Sequence, residues 1–193
     1  MPRPPDPDLE NRILNAAHTL WRRGGEKSLT MRAVARAARS NTPAVYRRFK
    51  NRQDLVRALL RRIQVDIGDN LIRCRTVEEM GESYLDYALR HPHEYELFYA
   101  HVRELVASRD GKARPIRESR PNMGLMEKRL AERLGGAPAD HTQLGLALWA
   151  AAHGTAMMLI EEAIPGHEGE LRAAFAAAVK TLLRHGSRKN FGK

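Results

Sequence analysis

Apolar residues recur along most of the chain at intervals of three and four positions, the spacing that places them on one face of an α-helix. The first such stripe runs from Leu9 to Leu20 and follows Asp8, a residue type that favours helix starts. The Gly24-Gly25 pair is expected to end this helix. No segment alternates between apolar and polar residues as a β-strand does, so the pattern predicts an all-α chain of about nine helices.

Two short helices are expected to follow, each with its own capping residue. Thr30 can cap a helix that ends at Ala38. Asn41 can cap the next one, which carries Pro43 in its first turn. This second helix is only about two turns long, so its neighbours must hold it in place. The helix lengths and the short turn over residues 39–41 are typical of a helix-turn-helix.

Longer helices are predicted beyond the helix-turn-helix. They lie at about residues 51–74, 76–90, 93–108, 120–134, 140–163 and 168–185. The stretch from Arg109 to Asn122, which separates two of them, is rich in basic residues and contains Gly and Pro. It is expected to be partly disordered.

The composition excludes several classes of protein. Of the 193 residues, 42% are hydrophobic and 29% are charged, which excludes a mainly disordered chain. Cys74 is the only cysteine, so an internal disulfide and a Cys-based zinc site are excluded and a cytoplasmic setting is expected. The opening residues lack an apolar core, and we expect no signal peptide. The longest apolar stretch, from Leu144 to Ile160, contains His153 and is interpreted as a fully buried helix and not as a membrane span.

The net charge of +10 is confined to the first third of the chain. Residues 1–62 contain 15 Lys or Arg and 5 Asp or Glu, whereas the two signs balance over residues 63–193. Such an asymmetry indicates that the two parts have different partners, with a polyanion as the partner of the first. The alternative is a solvated basic surface that has no partner.

Motifs inside the basic part resemble a known family. The run from Arg12 to Leu59 contains LTMRAVA at the start of the first short helix and VYRRFKNRQDL across the end of the second. These motifs resemble the N-terminal DNA-binding domain of the TetR family of bacterial transcriptional regulators. The later segments HPHEYELFYAH and LALWAAAHGTAMMLIEEA are similar to the ligand-binding part of one TetR subgroup, which has a Trp and a His-Gly pair in its eighth helix.

The resemblance implies a homodimer with an N-terminal three-helix helix-turn-helix DNA-binding domain, residues 1–62, and a C-terminal ligand-binding and dimerisation domain, residues 63–193. The two helix-turn-helix motifs would bind successive major grooves of a pseudo-palindromic double-stranded DNA operator, and a small molecule would release them. By motif position, the residues expected near bases are Arg32, Thr42, Pro43, Ala44 and Arg47. Those expected near phosphates are Thr30, Tyr46, Lys50 and Arg52. Arg48 would read bases in place of Arg47 if the second short helix were tilted differently.

The turn departs from the family pattern, because Arg39-Ser40-Asn41 stands where Gly-Val-Ser is usual. A glycine accommodates a left-handed backbone there, whereas a residue with a side chain costs about 1 kcal/mol in that conformation. Either Arg39 adopts the strained conformation or the turn is built differently. The missing valine also leaves the tilt of the second short helix open. The Arg39 side chain is interpreted as solvated, with a phosphate contact as the alternative.

The second part of the chain is rich in methionine and aromatic residues. As a group they suit a mostly apolar ligand cavity, although helical spacing alone is also compatible with a place in the core. The residues expected to touch a small apolar or aromatic effector, neutral or weakly cationic, are Tyr84, Phe98, Met126, Trp149 and His153. His91, His93 and His101 are close in sequence, but a proline separates the first two and no acidic or Cys cluster supports them, so no metal is expected.

Small residues line the eighth and ninth predicted helices. Ala150 and Gly154 lie four positions apart in the eighth, and Ala173 and Ala177 flank the apolar face of the ninth. Such surfaces allow close helix packing beyond the needs of one core, which predicts a two-fold dimer through these helices.

Little in the sequence supports catalysis. The chain has no Gly-rich phosphate loop, no nucleophile in a recognisable turn and no paired carboxylates on an apolar face. We expect no enzyme and no cofactor. Three alternatives to a sequence-specific regulator stay open, namely a hydrolase that depends on His153, a nonspecific architectural DNA-binding protein and a basic protein bound to a membrane surface.

Overall fold

The computed structural model describes residues 8–106 and 116–189. Within these ranges it contains ten α-helices, one short 3₁₀ turn at Pro138–His141 and no β-strand, which confirms the predicted all-α fold. The helices are α1 (Leu9–Ser28), α2 (Met31–Ala37), α3 (Thr42–Arg48), α4 (Arg52–Arg73), α5 (Val77–Arg90), α6 (Pro92–Val106), α7 (Ile116–Ser119), α8 (Pro121–Leu134), α9 (Thr142–Ile160) and α10 (Glu168–Lys189). The extra helix relative to the prediction is α7.

Part of the segment predicted to be disordered lies in α7 and α8. Residues 116–119 form α7, and α8 begins at Pro121. Residues 109–115 lie outside the described residues. The expectation of partial disorder in this stretch stays a prediction.

The chain divides into two compact units. The first comprises residues 1–65 and 91–107, and the second comprises residues 66–90 and 108–193. The helix α4 contributes to both, since the division falls within it, and α6 belongs to the first unit although it follows α5 in the chain. The sequence-based division at residue 62 concerns the functions of the two parts and stays a prediction.

The short helices of the first unit begin where local capping residues specify. The Thr30 hydroxyl accepts a hydrogen bond from the backbone N–H of Ala33 at 3.1 Å, and the Asn41 side chain accepts one from Ala44 at 2.9 Å. Asn51 caps α4 in the same way. Each cap satisfies a backbone donor that would otherwise lack a partner at a helix start. The capping predictions for α2 and α3 are thus confirmed.

The first helical stretch of α1 ends at the Gly24-Gly25 pair as predicted, because both glycines are non-helical, and a further helical turn beyond this kink runs to Ser28. Gly25 has φ 57°, a value that residues with a side chain rarely adopt. A Cβ atom on Gly25 would lie 3.5 Å from the Nδ1 atom of His93. The pair therefore provides both the bend and the close approach of α6.

A polar network joins α6 to α1. The indole N–H of Trp21 donates a hydrogen bond to the carbonyl oxygen of His93 at 2.6 Å. The Glu94 carboxylate, only 1% exposed, lies 2.8 Å from both His18 Nε2 and Arg22 Nε. A buried carboxylate needs such partners, because leaving it unpaired would destabilise the fold by about 3 to 5 kcal/mol. The network therefore holds α6 in the first unit.

The core of the second unit lies where α5, α8 and α10 pack against α9. Leu85, Leu130 and Ala156 are fully buried there. Gly81 permits the close approach of α10, since a Cβ atom at that position would lie 2.7 Å from Cζ of Phe175. By length and composition alone the run Pro138–Ile160 could cross a membrane, but that is weak evidence for a helix that packs against three others in one unit. The prediction that this stretch is fully buried is wrong within the single chain, because Ala150, Gly154 and Met158 are exposed.

Candidate DNA-binding surface and aromatic cluster

The helices α2 and α3 form the predicted helix-turn-helix. Val34 on α2 and Val45 on α3 are fully buried, and α2 packs against both α1 and α3. Because these faces are buried, the opposite side of α3 is the one exposed to solvent. This is how a helix of seven residues, which has no stability by itself, is held in place.

The turn between the two helices contains the strained residue. Arg39 has φ 52°, so the first of the two alternatives for this turn is the one present. Its backbone N–H donates to the Arg36 carbonyl at 3.1 Å, and the Ser40 N–H donates to Ala35 at 2.9 Å. These two bonds form a Schellman motif, in which glycine is the usual residue at the left-handed position. Arg39 occupies that position at a conformational cost.

Four basic residues and one tyrosine present an exposed surface on and beside this motif. Tyr46 is 49% exposed, and the remaining members, all exposed, are Arg32, Arg47, Arg48 and Lys50. Pro43 is also exposed, and Thr42 is half-buried at the start of α3. We call the set Arg32, Tyr46, Arg47, Arg48 and Lys50 the basic face. It combines guanidinium, ammonium and phenol donors, the groups that contact phosphates and base edges in DNA complexes.

Three residues of the predicted DNA-binding set have roles inside the first unit. The Thr30 hydroxyl caps α2, and Ala44 is only 5% exposed, so little of its methyl group can reach DNA. Arg52 donates from Nε to the Leu29 carbonyl at 3.1 Å and from Nη2 to Glu26 Oε1 at 3.0 Å. These contacts tie the start of α4 to the end of α1. A DNA contact by each of the three stays a prediction.

An aromatic cluster lies in the second unit where α5, α8 and α9 meet. The Trp149 indole N–H donates to the Tyr84 hydroxyl at 3.4 Å, and the ring centroids of Trp149 and His153 are 6.3 Å apart. The Arg120 guanidinium carbon lies 5.3 Å from the centroid of the Trp149 ring, a cation–π contact. All four side chains are half-buried. We call Tyr84, Arg120, Trp149 and His153 the aromatic cluster.

Arg120 is the member that the sequence did not reveal. It lies in the Arg109–Asn122 stretch, which has no helical period to indicate a direction for its side chain. Its place directly before Pro121, which opens α8, was the one available signal. Burial, together with the charge of Arg120, holds the pKa of His153 below its ordinary value of 6.5, so this imidazole is neutral at neutral pH.

The other two predicted effector residues occupy different surroundings. Met126 on α8 is half-buried, and its Cγ lies 3.5 Å from the position that a Cβ on Gly145 would take, one helical turn before Trp149. Phe98 belongs to the first unit, where it is 6% exposed and its ring packs edge-on against Tyr99. Four of the five predicted residues thus belong to the second unit.

Comparison with protein families and curated proteins gives a consistent result. The family described as "Bacterial regulatory proteins, tetR family" matches residues 13–59. The family described as "Tetracyclin repressor-like, C-terminal domain" matches residues 77–182, more than half of the chain. No curated protein matches the chain.

Solved structures with the same fold are similar over nearly their whole length. A protein of unknown function from Rhodococcus sp. RHA1 is 20% identical, with 96% of this chain and 98% of that chain covered and a TM-score of 0.72. A TetR variant from Acinetobacter baumannii AYE in complex with minocycline is 18% identical, with 94% and 97% covered and a TM-score of 0.63. The multidrug binding protein EbrR complexed with imidazole is 21% identical, with 92% and 93% covered and a TM-score of 0.59.

At these sequence identities the structural neighbours establish only the shared fold. The resemblance to a subgroup with a Trp and a His-Gly pair in its eighth helix stays a prediction. The family matches carry the assignment, since they cover the helix-turn-helix and most of the second unit. The chain is a member of the TetR family of bacterial transcriptional regulators.

Proposed function

We propose that this regulator is a repressor that binds a pseudo-palindromic operator as a homodimer and leaves the DNA when a small aromatic or apolar molecule binds the second unit. The observation that carries the proposal is the basic face, which is exposed while Val45 on the opposite side of α3 is fully buried. Neutralisation of phosphates by such a face supplies much of the affinity for DNA. Its site of action would be the cytoplasm.

The residues of the face have different expected roles. Arg32 and Arg47 carry guanidinium groups that can fork onto a guanine in the major groove, with Thr42, Pro43 and Ala44 beside them. Tyr46 and Lys50, together with Thr30 and Arg52, are proposed to contact phosphates, which carry no sequence information. Substitutions of the base-reading residues should therefore change the sequence preference, whereas substitutions of the phosphate-contacting residues should weaken binding to all sequences alike.

A competition assay over single-base operator variants at two salt concentrations tests these roles. Arg47→Ala should weaken operator binding by about 1 to 3 kcal/mol and flatten the preference at one symmetric pair of positions. Lys50→Ala should weaken all sequences alike and lower the slope of log affinity against log salt by about 2 per dimer. Arg90→Ala, which removes an exposed arginine from the second unit, is the matched control and should change neither.

A uniform loss across every sequence for all the basic-face variants, Arg48→Ala included, would contradict the proposal. The protein would then contact the DNA backbone only, and it would be a nonspecific architectural DNA-binding protein and not a repressor. A repressor should instead prefer its operator over random DNA by about 10³ or more.

The dimer is proposed to form through α9 and α10. Met158 on α9 is 40% exposed, and Ala150 and Gly154 on the same helix are exposed although the helix is apolar almost all round. A Cβ atom on Gly154 would meet no other atom of the chain within 4 Å. A partner helix would cover this surface, as two-fold assembly requires. On α10, Ala177 is exposed too.

Sedimentation velocity at micromolar concentration tests the dimer. Ala177→Glu places a carboxylate in the proposed interface and should shift the equilibrium toward the monomer. Thr19→Glu adds the same charge to an exposed position on α1 and should leave the dimer intact. A wild-type chain that sediments as a monomer would contradict the proposal.

The proposed effector site is the aromatic cluster with Met126, all of it within the second unit. A contact of Phe98, which belongs to the first unit, with the effector stays a prediction from the sequence. Relatives with this fold have been solved with minocycline and with imidazole, which supports a capacity of the fold for small molecules. Binding should quench Trp149 and raise the melting temperature, because a ligand of the folded state stabilises it. A broad library of apolar and aromatic molecules, aromatic acids included, that changes neither signal would contradict an effector-responsive repressor.

A further inference from the structure

The Arg120 side chain is an unusual neighbour for an apolar effector site. Its guanidinium lies over the Trp149 ring, and among the side chains that the structure describes no carboxylate lies within ion-pair distance of it. Arginine can use its flat face for stacking while its edge still offers donors in a fork that matches a carboxylate. Trp149 thus fixes the direction of a guanidinium that still has donor capacity.

Five of the six acidic residues of α5 and α8 are paired with other cations, and the sixth, Glu79, accepts a hydrogen bond from the Arg75 backbone N–H. On α8, Glu127 is fully buried and lies 3.4 Å from Arg117 Nε, and Glu132 pairs with Arg129 at 2.7 Å. On α5 the pairs are Glu78 with Arg133, and Glu82 and Asp86 with Arg172. None of these acids neutralises Arg120.

The remaining members of the cluster add no second charge. His153 is held neutral by its burial and by Arg120 itself, and Tyr84 contributes a phenol. The cluster therefore presents aromatic faces from Trp149 and His153 beside one positive charge. A cationic molecule would approach Arg120 against repulsion, whereas an anion would complete its hydrogen bonds.

We infer that the effector is an aromatic carboxylic acid whose ring packs on Trp149 and whose carboxylate binds the Arg120 guanidinium. The inference rests on the proposed effector function and deepens it. It also differs from the neutral or weakly cationic effector that the balanced charge of residues 63–193 suggested, because the position of one arginine outweighs the sum over the chain. Charge-assisted bonds to a carboxylate are about twice as strong as neutral ones.

Matched pairs of acids and primary amides test the inference with the full-length protein. The probes are 1-naphthoate with 1-naphthamide and indole-3-acetate with indole-3-acetamide, measured by titration calorimetry. Each acid should bind the wild-type protein about tenfold or more tightly than its amide, although the two share a shape. Arg120→Gln should abolish this preference. Lys128→Gln, which removes an exposed cation from the same helix, should keep it.

The outcomes separate the inference from the function on which it rests. Equal or tighter binding of the amides by the wild-type protein overturns the inference and leaves an effector-responsive repressor standing. A preference that survives Arg120→Gln overturns it as well, provided that the ligand-free variant binds operator like the wild type and is therefore folded. Failure of all four probes to bind or to release operator counts against both.

Discussion

The left-handed conformation of Arg39 leads to a quantitative expectation for Arg39→Gly. A residue with a side chain loses about 1 to 2 kcal/mol in this conformation, and glycine does not. Glycine in turn makes the unfolded chain more disordered, at a cost of about 0.4 to 1 kcal/mol. The Arg39 side chain is exposed and forms no contact with the described residues that would be lost, so the net gain in the free energy of unfolding should be about 1 kcal/mol.

The assay is thermal and urea unfolding, followed by circular dichroism and by tryptophan fluorescence. For a chain of this length about 1 kcal/mol corresponds to a rise of about 2 to 4 °C in melting temperature. Trp21 lies in the same unit as Arg39 and reports on it. Arg39→Ala is the control, because alanine removes the charge and the long side chain but keeps the Cβ atom that causes the strain.

The two variants together decide the cause. If Arg39→Ala stabilises the protein as much as Arg39→Gly does, the gain comes from removing one charge of a basic unit, and the reasoning from backbone strain is refuted. A loss of stability in Arg39→Gly would refute it too. Glu162 has φ 49° in an equivalent motif at the end of α9, so Glu162→Gly should reproduce the gain in the second unit.

Further expectations concern packing, protonation and the arginine at the start of α4. Gly81→Ala should lower the free energy of unfolding by about 1 to 3 kcal/mol because its Cβ would overlap the Phe175 ring, whereas Gly169→Ala, whose Cβ meets open space, should not lower it in the same urea titration. Since the pKa of His153 is lowered in the folded state, the unfolded chain takes up a proton first as the pH falls below about 6.5, and stability should decline there; unfolding curves at a series of pH values should show a smaller decline for His153→Gln. Arg52→Ala should lower thermal stability as well as DNA affinity, because its contacts to Leu29 and Glu26 are lost, and a variant that loses affinity alone would contradict the structural role.

The features that could be predicted from the sequence are those with local causes. Thr30 and Asn41 cap helices through bonds to residues three positions later, so their effect is visible in a short stretch of sequence. The apolar stripes of the long helices are local in the same sense. The exposure of Arg47 and Lys50 followed from the position of the buried Val45 on a short helix.

The features that could not be predicted depend on residues far apart in the chain. The orientation of the Arg120 side chain depends on its contact with Trp149, which lies on α9. Glu94 can be buried because His18 and Arg22 on α1 contact its carboxylate, and nothing near it in sequence indicates that. Long side chains such as that of Arg52 have many rotamers, and tertiary packing selects among them.

The return of α6 to the first unit matters for anyone who exchanges DNA-binding modules between relatives. A hybrid that took residues 1–62 from this chain and the rest from another would retain Trp21 and Arg22 but lose His93 and Glu94, the groups that they bind. The transferred DNA-binding module would then lack the helix that covers this side of α1. A graft that also carries residues 91–106 would keep these contacts, so this module is one functional piece encoded in two separate stretches of the chain.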